Sequence, residues 1–101
     1  MSIGNNRDSI LDALARNRDQ IRNFGVRQLG LFGSAARGEC TDVSDLDFLV
    51  EFEKPTFDAY MDLKLFLEDL FARHVDLVLA HTLKPRLRDP ILREAVHVPG
   101  L

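Results

Sequence analysis

Apolar positions along this chain recur at two spacings, and the changes between them predict its elements. Ile10, Leu11, Leu14 and Ile21 recur at the spacing that keeps side chains on one face of a helix. They predict a first helix from about Asn6 to Asn23, ended by Phe24-Gly25, because glycine is the usual residue past a helix terminus. Val26 to Phe32, with apolar Val26, Leu29, Leu31 and Phe32, reads as a strand. Ser34 to Arg37 reads as one helical turn, and a polar loop follows through Gly38 and Ser44. Leu46 to Phe52, "LDFLVEF", is the clearest strand of the chain. Pro55 then interrupts it, and Thr56 is placed to cap a long helix from Phe57 to Arg73. A third strand, "VDLVLA", spans Val75 to Ala80. Beyond it, Leu83, Leu87, Ile91, Leu92 and Val96 stand at near-helical intervals and predict a final helix with a break before Pro90.

The order helix, strand, strand, helix, strand, helix predicts an α/β fold: a small mixed sheet flanked by helices. The long helix between the second and third strands fits a crossover between parallel neighbours. No repeat, low-complexity stretch or linker divides the sequence, so residues 1–101 read as one domain.

Composition narrows the classes of function. The chain is 46% hydrophobic and 29% charged, which argues for a folded protein and against disorder. No apolar run approaches the roughly 18 residues that a membrane span needs, and no signal-peptide pattern opens the chain. A single cysteine, Cys40, cannot form an internal disulfide, which points to the reducing cytoplasm. The net charge of −3 argues against stable binding of nucleic acid, whose phosphates call for a basic surface. At 101 residues an enzyme of this kind would draw part of its substrate site from another chain.

The chemistry concentrates in "LFGSAARGECTDVSDLDFLV", Leu31 to Val50. Side chains on a strand alternate faces, so Asp45 and Asp47 point the same way with Cα atoms about 7 Å apart, while Leu46, Phe48 and Val50 face the core. Asp76 repeats the theme inside the third strand. A charged, unpaired carboxylate in an apolar strand is costly, and neither strand carries a lysine or arginine. If the two strands are neighbours, three carboxylates converge and repel one another. A divalent cation removes that conflict, and hard oxygen ligands suit Mg²⁺ completed by water and substrate phosphates. Gly33 at a strand end permits close backbone approach, and Ser34 opens a turn whose N–H groups attract an anion. The Ser34 hydroxyl and Arg37 can add a donor and a charge. Alone, Gly-Ser is commonly a turn and Asp-x-Asp a solvated cap. Together, phosphate donors facing a carboxylate cluster describe a site for a nucleoside triphosphate.

Those residues carry a resemblance. Gly33-Ser34, ten intervening residues, Asp45-Leu46-Asp47 and the later Asp76 resemble the signature of the minimal nucleotidyltransferases of the polymerase-beta-like superfamily. "FGSAARGE…SDLDFLVEF" is similar, more narrowly, to the subgroup acting as antitoxins beside HEPN-domain toxins, and the likeness spans nearly the whole chain. It departs at Thr41-Asp42, where relatives often carry a proline.

The resemblance implies transfer of a nucleotidyl group: a hydroxyl attacks the α-phosphorus of ATP and pyrophosphate leaves. It implies two Mg²⁺ ions about 3.5–4 Å apart, with Asp45 and Asp47 bridging both. Asp76 would hold the one that activates the attacking hydroxyl and take its proton. Gly33 and Ser34 would hold the β- and γ-phosphates, with Arg37 beside the nucleotide. In the antitoxin subgroup the acceptor is a tyrosine of the partner HEPN toxin in a hetero-oligomeric, type VII-like pair, and the modified toxin is inactive. Rival readings are a nucleotidyltransferase for a small hydroxyl compound or an RNA end, and a module that neutralises its partner by binding alone.

Other features are less specific. On the long helix, Tyr60, Leu63, Phe66, Leu67, Leu70 and Phe71 form a stripe suited to the sheet. Phe57, Met61 and Leu65 form a separate flank, open to a partner or covered by the chain ends. Lys84, Arg86, Arg88 and Arg93 read as a solvated basic face. His74, His81 and His97 share no metal-ligand spacing and read as surface or boundary residues, and Cys40 has no partner base.

Overall fold

Hydrophobic residues from three helices meet one face of a four-stranded sheet. The computed structural model describes residues 7–33, 36 and 45–98. Its strands are β1 (Val26–Phe32), β2 (Leu46–Phe52), β3 (Val75–Leu79) and β4 (Val96–His97), in the order β3-β2-β1-β4. β1 runs antiparallel to β2 and β4, whereas β2 and β3 run parallel, so the sheet is mixed as the pattern predicts. The helices are α1 (Arg7–Arg16), α2 (Arg18–Asn23), α3 (Phe57–Phe71) and α4 (Pro85–Glu94), with a short 3₁₀ turn at Ala80–Thr82. α3 joins the two parallel strands, as a crossover must.

The core follows from the periodicities. Ile10, Leu14 and Ile21 from α1 and α2, and Leu63, Leu67 and Phe71 from α3, pack with Leu29, Leu31, Leu46, Phe48 and Val50 of the sheet. Fully burying each such side chain contributes about 1.5–3 kcal/mol before entropy is counted. The Phe48 and Phe71 rings stack with centroids 6.0 Å apart. Strict alternation fails in β1, where Arg27 and Gln28 are both exposed between buried Val26 and Leu29. The cause is a register shift between Val26 and Gln28, the two-against-one geometry of a bulge.

The structure departs from the sequence pattern in three places. The first helix is split at Asn17, whose side-chain amide donates to the Ala13 carbonyl at 2.8 Å while its backbone N–H bonds Leu14. That side chain takes the acceptor the backbone would have used, and the helix restarts at Arg18. Ala72, in the left-handed conformation with φ 52°, closes α3 two residues before the expected Arg73, and Thr56 accepts from the Ala59 N–H at the other end. The final helix starts at Pro85 and runs through Pro90 without the expected break. Pro90 and Arg86, whose carbonyl it cannot bond, both lie on the exposed side. Val96 leaves that helix and enters β4 beside Leu31, and Val98 donates to the Leu29 carbonyl at 3.0 Å. Among the described residues no helix is long and apolar enough to cross a membrane.

Candidate active site

The parallel register decides which polar side chains meet. Leu46 lies opposite Val75 and Asp47 opposite Asp76, so the two aspartates are direct neighbours across the strands. The Leu46 N–H donates to the His74 carbonyl at 3.1 Å, which sets Asp45 beside His74. The His74 Nδ1 then stands 3.4 Å from Asp45 Oδ2 and 3.9 Å from Asp76 Oδ1. Asp45, Asp47, His74 and Asp76 form a polar face where the two parallel strands begin, backed by fully buried Leu46 and Val75. Asp45, His74 and Asp76 are about half exposed, so a ligand can reach them from solvent.

Gly33 closes the other side. It follows β1, whose last residue Phe32 is the register partner of Asp47. Its φ is +74°, and a Cβ built there would overlap Asp47 Oδ2 and stand 3.2 Å from Asp47 Cγ. Glycine is required here twice, by conformation and by the carboxylate packed against its bare Cα. Ser34 and Arg37, the other expected phosphate contacts, lie outside the described residues, as do Cys40 and Thr41-Asp42.

The start of β3 is held from both directions. On one side the His74 carbonyl accepts from Leu46, and on the other the Val75 N–H donates to Glu68 Oε2 of α3 at 3.1 Å. Glu68 thereby fixes the level of Asp76 against Asp47 through the backbone. Glu68→Ala is expected to lower nucleotidyl transfer about tenfold by loosening that placement, with a stability loss of about 1–2 kcal/mol for the orphaned amide. Glu68→Gln, which keeps an acceptor oxygen, should restore most of both. Turnover and thermal unfolding measured side by side check this, and equal turnover in all three proteins would remove Glu68 from the site.

The donor set fits a divalent cation. One ligand atom each from Asp45, His74 and Asp76 lies within 4.8 Å of the others. Two carboxylates and an imidazole in solvent contact are a chemically competent set. The sequence pattern groups Asp45, Asp47 and Asp76. The coordinates place Asp47 beside Asp76 in register and against Gly33, and add His74 between Asp45 and Asp76. His74 is a surface residue, as expected, but on the same face as Asp45 and Asp76. The overlooked signal is its position two residues before Asp76, which puts both on one side of the strand.

Elsewhere, Tyr60, Leu63, Phe66, Leu67, Leu70 and Phe71 face the core as expected, and the Tyr60 hydroxyl donates to the Leu77 carbonyl at 2.8 Å. On the other flank Phe57 and Leu65 stay 77% and 57% exposed, so no described residue of the chain ends covers them. Lys84, just before α4, and Arg86 and Arg93 on it are exposed.

Comparison with known proteins extends these observations. A family model described as a nucleotidyltransferase domain matches residues 10–98. The protein adenylyltransferase MntA of Thermococcus cleftensis is 40% identical over 93 residues, which cover 90% of this chain and 94% of that protein. A solved structure provisionally described as a minimal nucleotidyltransferase superposes with a TM-score of 0.72 at 42% identity, covering 85% of this chain and 93% of that one. A variant of the toxin–antitoxin pair MntA–HpeT superposes with a TM-score of 0.65 at 26% identity, covering 95% of this chain and 73% of that one.

Proposed function

We infer the reaction from one premise: this chain belongs to the nucleotidyltransferase domain family and is a nucleotidyltransferase. The reading best supported is transfer of AMP from ATP to a tyrosine hydroxyl of a partner HEPN toxin, in the cytoplasm, with this chain as the antitoxin. The observation that supports it is Asp47 in register with Asp76 and packed against a glycine turn of positive φ, two carboxylates beside backbone that leaves room for a ligand. Likeness to a protein adenylyltransferase and to a member of a toxin–antitoxin pair supports a protein acceptor and the antitoxin role.

In the reaction the acceptor oxygen bonds to the α-phosphorus of ATP. The bond from that phosphorus to the bridging oxygen breaks, and pyrophosphate leaves with the electron pair. Asp76, half exposed at the rim, takes the hydroxyl proton. Asp45, Asp47 and Asp76 would hold two Mg²⁺ ions, which when bound would supply the charge that stabilises the attacking and leaving oxygens, and Asp45 and Asp47 would orient the α-phosphate. Gly33 and Ser34 cradle the β- and γ-phosphates with backbone and hydroxyl donors, and Arg37 adds positive charge. The acceptor is presented by the partner.

The test is transfer itself. Incubate the chain with α-labelled ATP, Mg²⁺ and the product of the adjacent gene, then locate the label by mass spectrometry. A mass increase of AMP on a tyrosine of the partner is the expected result. A tight complex with no label on the partner overturns the transfer reading and leaves neutralisation by binding.

A further inference from the structure

We infer that His74 is a cation ligand, and that it tilts this site from Mg²⁺ towards a first-row transition ion such as Mn²⁺. The inference rests on the reading of this face as a cation site and concerns which ion it prefers. The His74 Nδ1 is turned between two carboxylates, 3.4 Å from Asp45 Oδ2 and 3.9 Å from Asp76 Oδ1. Donors sharing one ion at about 2.0–2.2 Å stand roughly 3.0–3.4 Å apart; the His74–Asp45 separation meets that limit, and the three donor atoms, all within 4.8 Å of one another, reach it by side-chain rotation. The imidazole is carried by the residue that immediately precedes β3. Its carbonyl is bonded to Leu46, and the next amide is bonded to Glu68, so the backbone that carries the ring is fixed on both sides.

The chemistry then sets the preference. Mg²⁺ favours oxygen donors and keeps much of its water, so a nitrogen ligand adds little to its binding. Imidazole nitrogen binds first-row transition ions more strongly. A neutral imidazole also adds a donor without adding negative charge. Its contribution therefore depends on the metal's affinity for nitrogen and not on charge alone, which is what separates Mn²⁺ from Mg²⁺ here.

The test uses the whole chain and Mn²⁺, with and without a non-transferable ATP analogue. Bound Mn²⁺ is counted by electron paramagnetic resonance, and pulsed measurements read coupling to a nitrogen nucleus. Wild-type protein should show imidazole nitrogen coupling. His74→Ala should lose it, and the ratio of Mn²⁺ to Mg²⁺ affinity should fall about tenfold or more, since even outer-sphere partners of ligands contribute that much. His74→Asn offers an oxygen close to where Nδ1 stands. It should hold Mg²⁺ within about threefold of wild type while losing the nitrogen signal. No Mn²⁺ bound at millimolar concentration, bound Mn²⁺ without nitrogen coupling, or an unchanged affinity ratio in His74→Ala overturns the inference and leaves His74 as an ion-pair partner of Asp45 and Asp76. No partner protein is involved, so a failure of AMP transfer leaves this result standing, and a missing nitrogen signal leaves the transfer reading untouched.

Discussion

Gly33→Ala is expected to reduce nucleotidyl transfer about a hundredfold while the chain stays folded. The new methyl group meets Asp47 Oδ2 head-on, with Asp47 Cγ only 3.2 Å away, so the carboxylate has to swing off its position. A misplacement of about 1 Å in a catalytic constellation can cost on the order of a hundredfold in rate. The fold is affected less. Gly33 lies at the rim beyond β1, and an alanine forced to positive φ costs about 1 kcal/mol. Gly25→Ala separates the two effects. Its φ is +89°, with nothing within 4 Å of an added Cβ, so it carries the conformational cost without the collision. Both variants should melt slightly below wild type, and only Gly33→Ala should lose transfer of labelled AMP. Transfer by Gly33→Ala within threefold of wild type would show that Asp47 does not need its present place.

The contrast between legible and hidden features has a physical basis. Local rules sufficed where one residue type decides the outcome. Thr56 caps α3 because its hydroxyl reaches the Ala59 amide, and β2 is legible because Leu46, Phe48, Val50 and Phe52 alternate against Asp47 and Glu51. Features that depend on distant partners were not legible. β4 is two residues long and exists only because β1 offers it an edge at Gly30 and Leu31. The bulge after Val26 breaks the alternation that would otherwise place Arg27 and Gln28 on opposite faces. Asn17 splits a helix whose apolar spacing is uninterrupted, because one amide competes for one carbonyl. In the site, spacing alone pairs Asp45 with Asp47. The entry of His74 needs the register of β2 against β3, which no stretch of either strand contains.

Asp47→Asn and Asp76→Asn are expected to give the largest losses of transfer, about a thousandfold or more each, and the double variant should be no worse than either single one. Asparagine keeps the shape and one oxygen but replaces a negative acceptor with a neutral donor, so a cation held there would lose its charge partner while packing hardly changes. Groups that act as one unit fail together. Once either carboxylate is gone the paired assembly is lost, and removing the second takes away little more. Stability should change little. Asp76 is half exposed, where charge interactions with neighbours are worth little, and asparagine keeps the shape at both register positions, so the unfolding midpoint should stay close to wild type. Labelled AMP transfer and thermal unfolding of the three variants test both halves. Losses that multiply in the double variant would mean that Asp47 and Asp76 act independently, and a clear drop in the melting midpoint would mean that their charges hold the fold together.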